Sequence, residues 1–450
     1  MQTKTFYMLL FGVLLRFTAT AQPALDAYLK MGIDSNLALR QYNFDIRTAR
    51  LELDRAKTLF LPQLNLNAQY TVATGGRTQD LPIGDLLNGV YKTLNQLTAS
   101  NSFPQVSNQT INFLPNDFHD TKAEVLYPVF NSDMRYNKQL KEEQIKEKQA
   151  DKEIYRRELV RQIKLAYYQL LQAGRAVEIY KNAQTLVQEN LRVAEKLVAN
   201  NIATKEVTLK AKTQISQVNA SLTEAEQNRK NALAYFNFLL NRPFETDAVL
   251  EYAALDAIQP PTLSSVEGTV NREELAKLRS GSQQLQISQK LNEGGQLPKL
   301  NAFYNAGFQG YGYKFNDKQF YQLAGLQLQW SLFRGYENKI KIKETRVAIE
   351  ALQNKQTEVQ NQLNLQATTA FNSYRSAWES LQSNRDEMQS TTEVYRIVEK
   401  RWREGQALQI ELIDARTQMT NAGIKYSLAQ LNVLNRQAEL ERANASYSFK

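Results

Sequence analysis

From Pro23 to about Leu59, apolar residues recur mostly at steps of three and four: Leu25, Tyr28, Leu29, Ile33, Leu37, Tyr42, Ile46, Ala49, Leu53 and Ala56. This is the helical period. Asp34 or Ser35 is placed to cap a restart, and Pro62 ends the run because a proline pushes the preceding residue out of the helical region. The period then changes to two. Leu64, Leu66, Ala68, Tyr70 and Val72 alternate with Gln63, Asn65, Asn67, Gln69 and Thr71, which predicts a strand over about 63–73 with one apolar and one polar face. Residues 75–120 are rich in Gly, Asn, Ser, Thr and Pro and read as a long loop. A second strand is expected over about 121–130, with Ala123, Val125, Tyr127 and Val129 on its apolar side.

Two very long helical stretches follow. From Asp133 to about Asn200 there is no Pro and a single Gly. Apolar residues run from Ile163 and Ala166 to Ala194 and Val198 in steps of three and four, the seam of a coiled coil. At 1.5 Å per residue such a helix would reach ~100 Å. Asn200-Asn201 signals a turn, and a return helix runs to Asn241-Arg242-Pro243. Residues 244–270, with Pro260-Pro261, read as an irregular linker. The plan then repeats. A helix is expected over 274–291, strands over about 299–309 and 321–333 around a Gly-rich loop, and a long helix from Gly335 to a break at Gly405. A last helix, with Ala415, Met419, Ala422, Tyr426, Ala429, Val433 and Leu440, runs to about Ala443.

The halves form an internal repeat. Ala211-Lys212-Thr213-Gln214 corresponds to Ala415-Arg416-Thr417-Gln418 at an offset of 204, from position 211 to position 415. The same offset aligns Asn201 with Gly405. Residues 22–243 make the first repeat and 271–450 the second. Gly405 can supply a tight turn because glycine takes left-handed backbone angles without steric cost. Just beyond it, Glu411 and Asp414 are three apart and so share one helix face.

Composition narrows the function. The 450 residues carry a net charge of +9, and Lys and Arg are interleaved with acids along the helices. That is the pattern of a solvated helix face, and no nucleic-acid partner is expected. There is no Cys, and His119, in the expected polar loop, is the only His. Thiolate chemistry and a histidine triad or metal site are therefore not expected, nor is a phosphate-binding Gly loop visible. No enzyme, cofactor or metal is expected. Lys4, the apolar run Phe6–Leu15 and Ala19-Thr20-Ala21 form an export signal over 1–21; its removal takes away Lys4 and Arg16 and changes +9 to +7.

Four two-faced strands in an exported chain suggest a membrane barrel. Four strands cannot close one, and open edges cannot sit in lipid, so a membrane reading requires several copies. A non-conducting periplasmic coiled-coil scaffold is the alternative, although a scaffold has no need of such strands.

The repeat, the proline-opened strand pairs and the string Gly405 to Ala415 resemble the TolC family of outer-membrane efflux channels, over essentially the whole exported chain. The resemblance implies a mixed fold, a membrane β-barrel plus long α-helical coiled coil. It implies a homotrimer with a twelve-stranded barrel in outer-membrane lipid and a periplasmic helical tunnel. The implied role is the exit duct of a tripartite efflux or type I secretion system. Its implied partners are a periplasmic adaptor (membrane fusion) protein and an inner-membrane pump of the RND, ABC or MFS type. Glu411 and Asp414 fall where members carry the acidic ring of the periplasmic gate. The turns Asn200, Asn201, Ile202, Ala203, Thr204 and Glu404, Gly405, Gln406, Ala407, Leu408 are the implied adaptor-docking tips.

Overall fold

The computed structural model describes residues 23–256, 258–261 and 272–449. The expected export signal, 1–21, lies outside them, as do residue 257 and the 262–270 part of the expected linker. The described chain divides into two units, one within Met1–Ala49, Glu143–Gln283 and Glu350–Lys450, the other within Arg50–Glu142 and Gln284–Ile349.

The first unit is helical. Its elements are α1 (Pro23–Ser35), the start of α2 (Leu37–Thr58), most of α4 (Ser132–Ala199), α5 (Lys205–Leu239), the short α6 (Ala253–Asp256), the first part of α7 (Glu273–Gly294), most of α8 (Glu337–Arg403) and α9 (Gln409–Asn444). The single turn of α6 lies where an irregular linker was expected. The main core gathers Leu29 of α1, Leu159, Ile163, Tyr167 and Leu171 of α4, Phe236 of α5 and Leu434 of α9. Tyr28 meets Phe236 edge-on, with ring centroids 5.1 Å apart. Full burial of each such side chain contributes roughly 1.5–3 kcal/mol, so these layers fix the seam read from the sequence. No helix of the described residues is long and apolar enough to cross a membrane.

The restart expected within 23–59 falls between α1 and α2, but the cap differs from expectation. The Asn36 side-chain oxygen accepts from the backbone N–H groups of Ala38 and Leu39, at 3.0 and 3.1 Å. Ser35 instead donates to the Met31 and Leu240 carbonyls. Ser35 is drawn to the end of α5, so the capping role passes one residue on.

The second unit is built on an antiparallel sheet in the order β1-β4-β5-β6. Its strands are β1 (Gln63–Thr71), β4 (Phe118–Phe130), β5 (Lys299–Tyr311) and β6 (Phe320–Gln329). The register sets Leu64 beside Val125, Tyr304 and Ala324, and Leu66 beside Ala123, Ala306 and Gln322. The next row on the other face is Asn65, Glu124, Asn305 and Leu323. One face of the sheet is therefore almost wholly apolar and the other mostly polar. The apolar face is not covered: Leu64, Leu66 and Leu326 are 74%, 78% and 69% exposed. β6 stops short of the expected 333: its last residue, Gln329, lies opposite Lys299, the first residue of β5, so the ladder has no partner beyond it.

Two sequence expectations are corrected in this unit. The supposed loop 75–120 contains β2 (Thr78–Leu81), α3 (Ile83–Leu97) and β3 (Gln109–Asn112), with β2 and β3 paired antiparallel. His119 is not in a loop. It lies within β4, fully buried, opposite Tyr70 and Gly310. Its ring sits 4.9 and 5.0 Å from those of Tyr313 and Phe315. Its Nε2 faces two acceptors, the Lys314 carbonyl and the Gln319 side-chain oxygen, so that nitrogen carries the proton.

Candidate functional site: the two helical turns

The five-residue turns 200–204 and 404–408 are copies of each other. α4 ends at Ala199 and α8 at Arg403; α5 begins at Lys205 and α9 at Gln409. Every one of these positions is matched by adding 204. The hydrogen bonds follow the same rule. Asn201 N–H donates to Val198 and Ile202 N–H to Leu197; Gly405 N–H donates to Trp402 and Gln406 N–H to Arg401. The long bond from the sixth residue back to the first, around a left-handed residue, is the Schellman closure of a helix. The left-handed residues are Asn201, with φ 61°, and Gly405, with φ 76°. Asparagine tolerates these angles better than other side chains, so the first turn survives without a glycine.

Each turn then opens its return helix through an extended residue, Thr204 at φ −81°, ψ 158° and Leu408 at φ −77°, ψ 151°. Neither side chain caps the helix. In both turns the alanine, Ala203 or Ala407, is half-buried while Asn200, Asn201, Ile202, Thr204, Glu404, Gly405, Gln406 and Leu408 are exposed. Ile202 and Leu408 thus present an exposed apolar side chain in each turn, although the 204 offset pairs Ile202 with Gln406 and Leu408 with Thr204.

One cluster joins the ends of these helices. Tyr395, Trp402, Leu412 and Ala415 form its buried centre, with Leu186, Val193 and Leu197 of α4 and Ala407 packed around them. Both turns therefore lie at the same end of the helical unit. Leu412 and Ala415 turn into this cluster, which leaves Glu411 and Asp414 on the adjoining, exposed side of α9. The Asp414 carboxylate accepts from the Gln418 side chain at 2.8 Å. Two acids in the first turns of α9 also lie in the favourable field of the helix N-terminus.

Arg416 escaped the sequence reading. It is 4% exposed and its charge interacts with Tyr395. Burial pushes the Arg416 guanidinium down from its ordinary pKa. Burial, followed by the charge of Glu399, pushes the Tyr395 hydroxyl up. The signal was a basic residue at a seam position, four after Leu412. Among the described residues, no group of three or more His, Cys, Asp and Glu could hold a metal ion.

Comparison with known proteins places this architecture. Residues 267–446 match the family described as outer membrane efflux protein. No curated protein matches the chain in sequence. In structure, the chain is similar to the open state of the Neisseria gonorrhoeae MtrE outer membrane channel, with a TM-score of 0.74 at 15% identity, covering 94% of this chain and 89% of that one. It is similar to the outer membrane protein VceC of Vibrio cholerae, with a TM-score of 0.71 at 14% identity over 93% and 95% of the two chains. For the Campylobacter jejuni CmeC outer membrane channel the TM-score is 0.71 at 13% identity, over 94% and 85%. Over nearly its whole length the chain has the fold of the solved outer membrane channels, and its residues 267–446 resemble the outer membrane efflux proteins.

Proposed function

We propose that this chain is one protomer of a trimeric outer-membrane exit duct, a passive conduit for cargo handed on by an inner-membrane pump through a periplasmic adaptor. The observation that carries the reading is the two-faced sheet. Its apolar face is exposed across all four strands, its other face is mostly polar, and the outer edges of β1 and β6 have no strand partner among the described residues. Such a sheet is stable in lipid only when neighbouring copies complete the ring. The long helices α4 and α8, of 68 and 67 residues, supply a tunnel wall. Lipid faces the apolar side of the sheet. The efflux and type I secretion roles share this duct, and the cargo is set by the pump.

The turns 200–204 and 404–408 are the adaptor-docking tips in this reading, each with one exposed apolar contact, Ile202 in the first and Leu408 in the second. Glu411 and Asp414 form the gate. In a trimer each makes a ring of like charges that attracts cations and repels itself. The test is planar-bilayer conductance of the detergent-extracted protein with a millimolar divalent cation on the periplasmic side. Small cation-selective steps, blocked by the divalent ion, are expected. Glu411→Ala combined with Asp414→Ala should raise the conductance and remove the block. Unchanged current in both orientations rejects the gate, and a detergent-independent soluble dimer rejects the duct.

A further inference from the structure

The segment between β1 and β4 is a built module rather than a connector. Beyond the β1–β4 ladder, Phe113 N–H donates to the Arg77 carbonyl, and β2 pairs with β3 from Thr78 opposite Asn112 to Leu81 opposite Gln109. This extended hairpin is closed by α3, at the end of the sheet away from α2 and α4. One flank of α3 is fastened to the strap 103–108. The Asn88 side chain donates to the Val106 carbonyl at 2.9 Å and accepts from its N–H at 2.8 Å. Asn95 does the same with Phe103, at 2.8 and 3.0 Å. Asn108 accepts from Asp85 N–H and donates to the Asp85 carboxylate. A side chain at Gly84 would meet the Val106 carbonyl oxygen at 2.5 Å, so strap and helix are in direct backbone approach. These rungs fix the rotation of α3 about its own axis.

The fixed rotation presents a seam. Ile83, Leu86, Val90 and Leu97 occupy heptad positions a, d, a and a, flanked by Leu87 and Leu94. Leu86, Val90 and Leu97 are 70%, 55% and 78% exposed. Three features select the occupant. The seam is of the kind identical helices use on one another. The helix carries only Asp85 and Lys92 as charges, whereas a helix that lies on an anionic membrane surface is rich in Lys and Arg. The module also grows out of β1, the strand whose free edge must meet the next copy. We infer that the three α3 helices meet around the threefold axis through Ile83, Leu86, Val90 and Leu97 and cap the outer mouth of the duct. The inference rests on the trimeric duct proposed above.

The chain has no Cys, so single cysteines report cleanly. Val90→Cys lies on the seam, and Lys92→Cys lies on the opposite side of the helix by spacing. Each full-length variant is purified in detergent, confirmed as a trimer by mass, and treated with a short bis-maleimide. Most of V90C should shift to a two-chain band, and K92C should stay single. Intact trimers in which V90C stays single overturn the inference. Protection of that cysteine from a water-soluble maleimide in liposomes, but not in detergent, would then assign the face to lipid. Equal cross-linking at both positions also overturns it, because the seam would not be the contact. Absence of trimers removes the duct reading and this one together.

Discussion

Arg272 is only 2% exposed, so its charge must be matched inside the helical unit. Its guanidinium donates to both Glu274 oxygens, at 2.9 and 2.7 Å, and to the Ala443 carbonyl at 2.6 Å. Arg442 adds a 2.7 Å bond to the same carboxylate. Burial alone would raise the Glu274 pKa, but the bonds and charges of the two arginines outweigh it and hold the carboxyl at about 2, against an ordinary 4.5. A depressed carboxyl stabilises the fold fully above its unfolded pKa, and that stabilisation is lost as pH falls through the folded value. The shift corresponds to about 3 kcal/mol. Glu274→Gln should therefore lower stability at pH 7 by about that much. The gap to the unaltered protein should close between about pH 4.5 and 2. Melting curves across that range check it; a gap that does not change with pH would assign the loss to packing instead of charge.

At the scale of elements, the two turns offer a matched comparison. Gly405 has a positive φ and open space around a would-be side chain. Gly405→Ala should cost about 1 kcal/mol, the ordinary penalty for a left-handed alanine, with no added clash. Asn201→Gly should be neutral or stabilising, because the same φ is already held there by a costlier residue. Parallel thermal unfolding of the two variants would measure this, and an equal loss in both would deny the equivalence of the turns. These turns and helices were legible in the sequence because their determinants are local: periodic apolar residues, a Gly or Asn at the break, and a constant offset between halves. The α3 module was not, although Ile83, Leu86, Val90, Leu94 and Leu97 have helical spacing. Short, and set among Gly, Asn and Ser, it scores as loop in any local window. What holds it are the Asn88 and Asn95 side chains on Val106 and Phe103, contacts 18 and 8 residues away. His119 was misplaced for the same reason. A polar residue beside an alternating run looks like its end, and the acceptors that make its burial tolerable lie 195 and 200 residues later. In the candidate site, the Glu411 and Asp414 face followed from spacing alone, while Arg416 needed the packed cluster to be seen as buried.

For the molecule as a whole, the decisive question is what solvent the apolar face of the sheet meets, since among the described residues it stays exposed. Leu66 sits mid-strand, in register with Ala123 and Ala306, and is 78% exposed. Asn67, its neighbour, projects to the other face and donates to Glu124. In water, Leu66→Arg would be harmless or helpful, since an exposed leucine contributes little and a charge improves solubility. In a bilayer the same change places a guanidinium near the middle of the apolar band and costs about 2–4 kcal/mol. Asn67→Arg would face the duct interior, where water solvates it, next to an acid that can receive it. The expected outcome is a large fall in folded trimer recovered from lipid for L66R and near-normal recovery for N67R. The reverse order would put water on the apolar face and lipid nowhere, and would leave the long helices without a membrane to leave from. Because the substitutions are adjacent in sequence and share a strand, effects on local strand propensity largely cancel, and the difference between them reads the environment of each face.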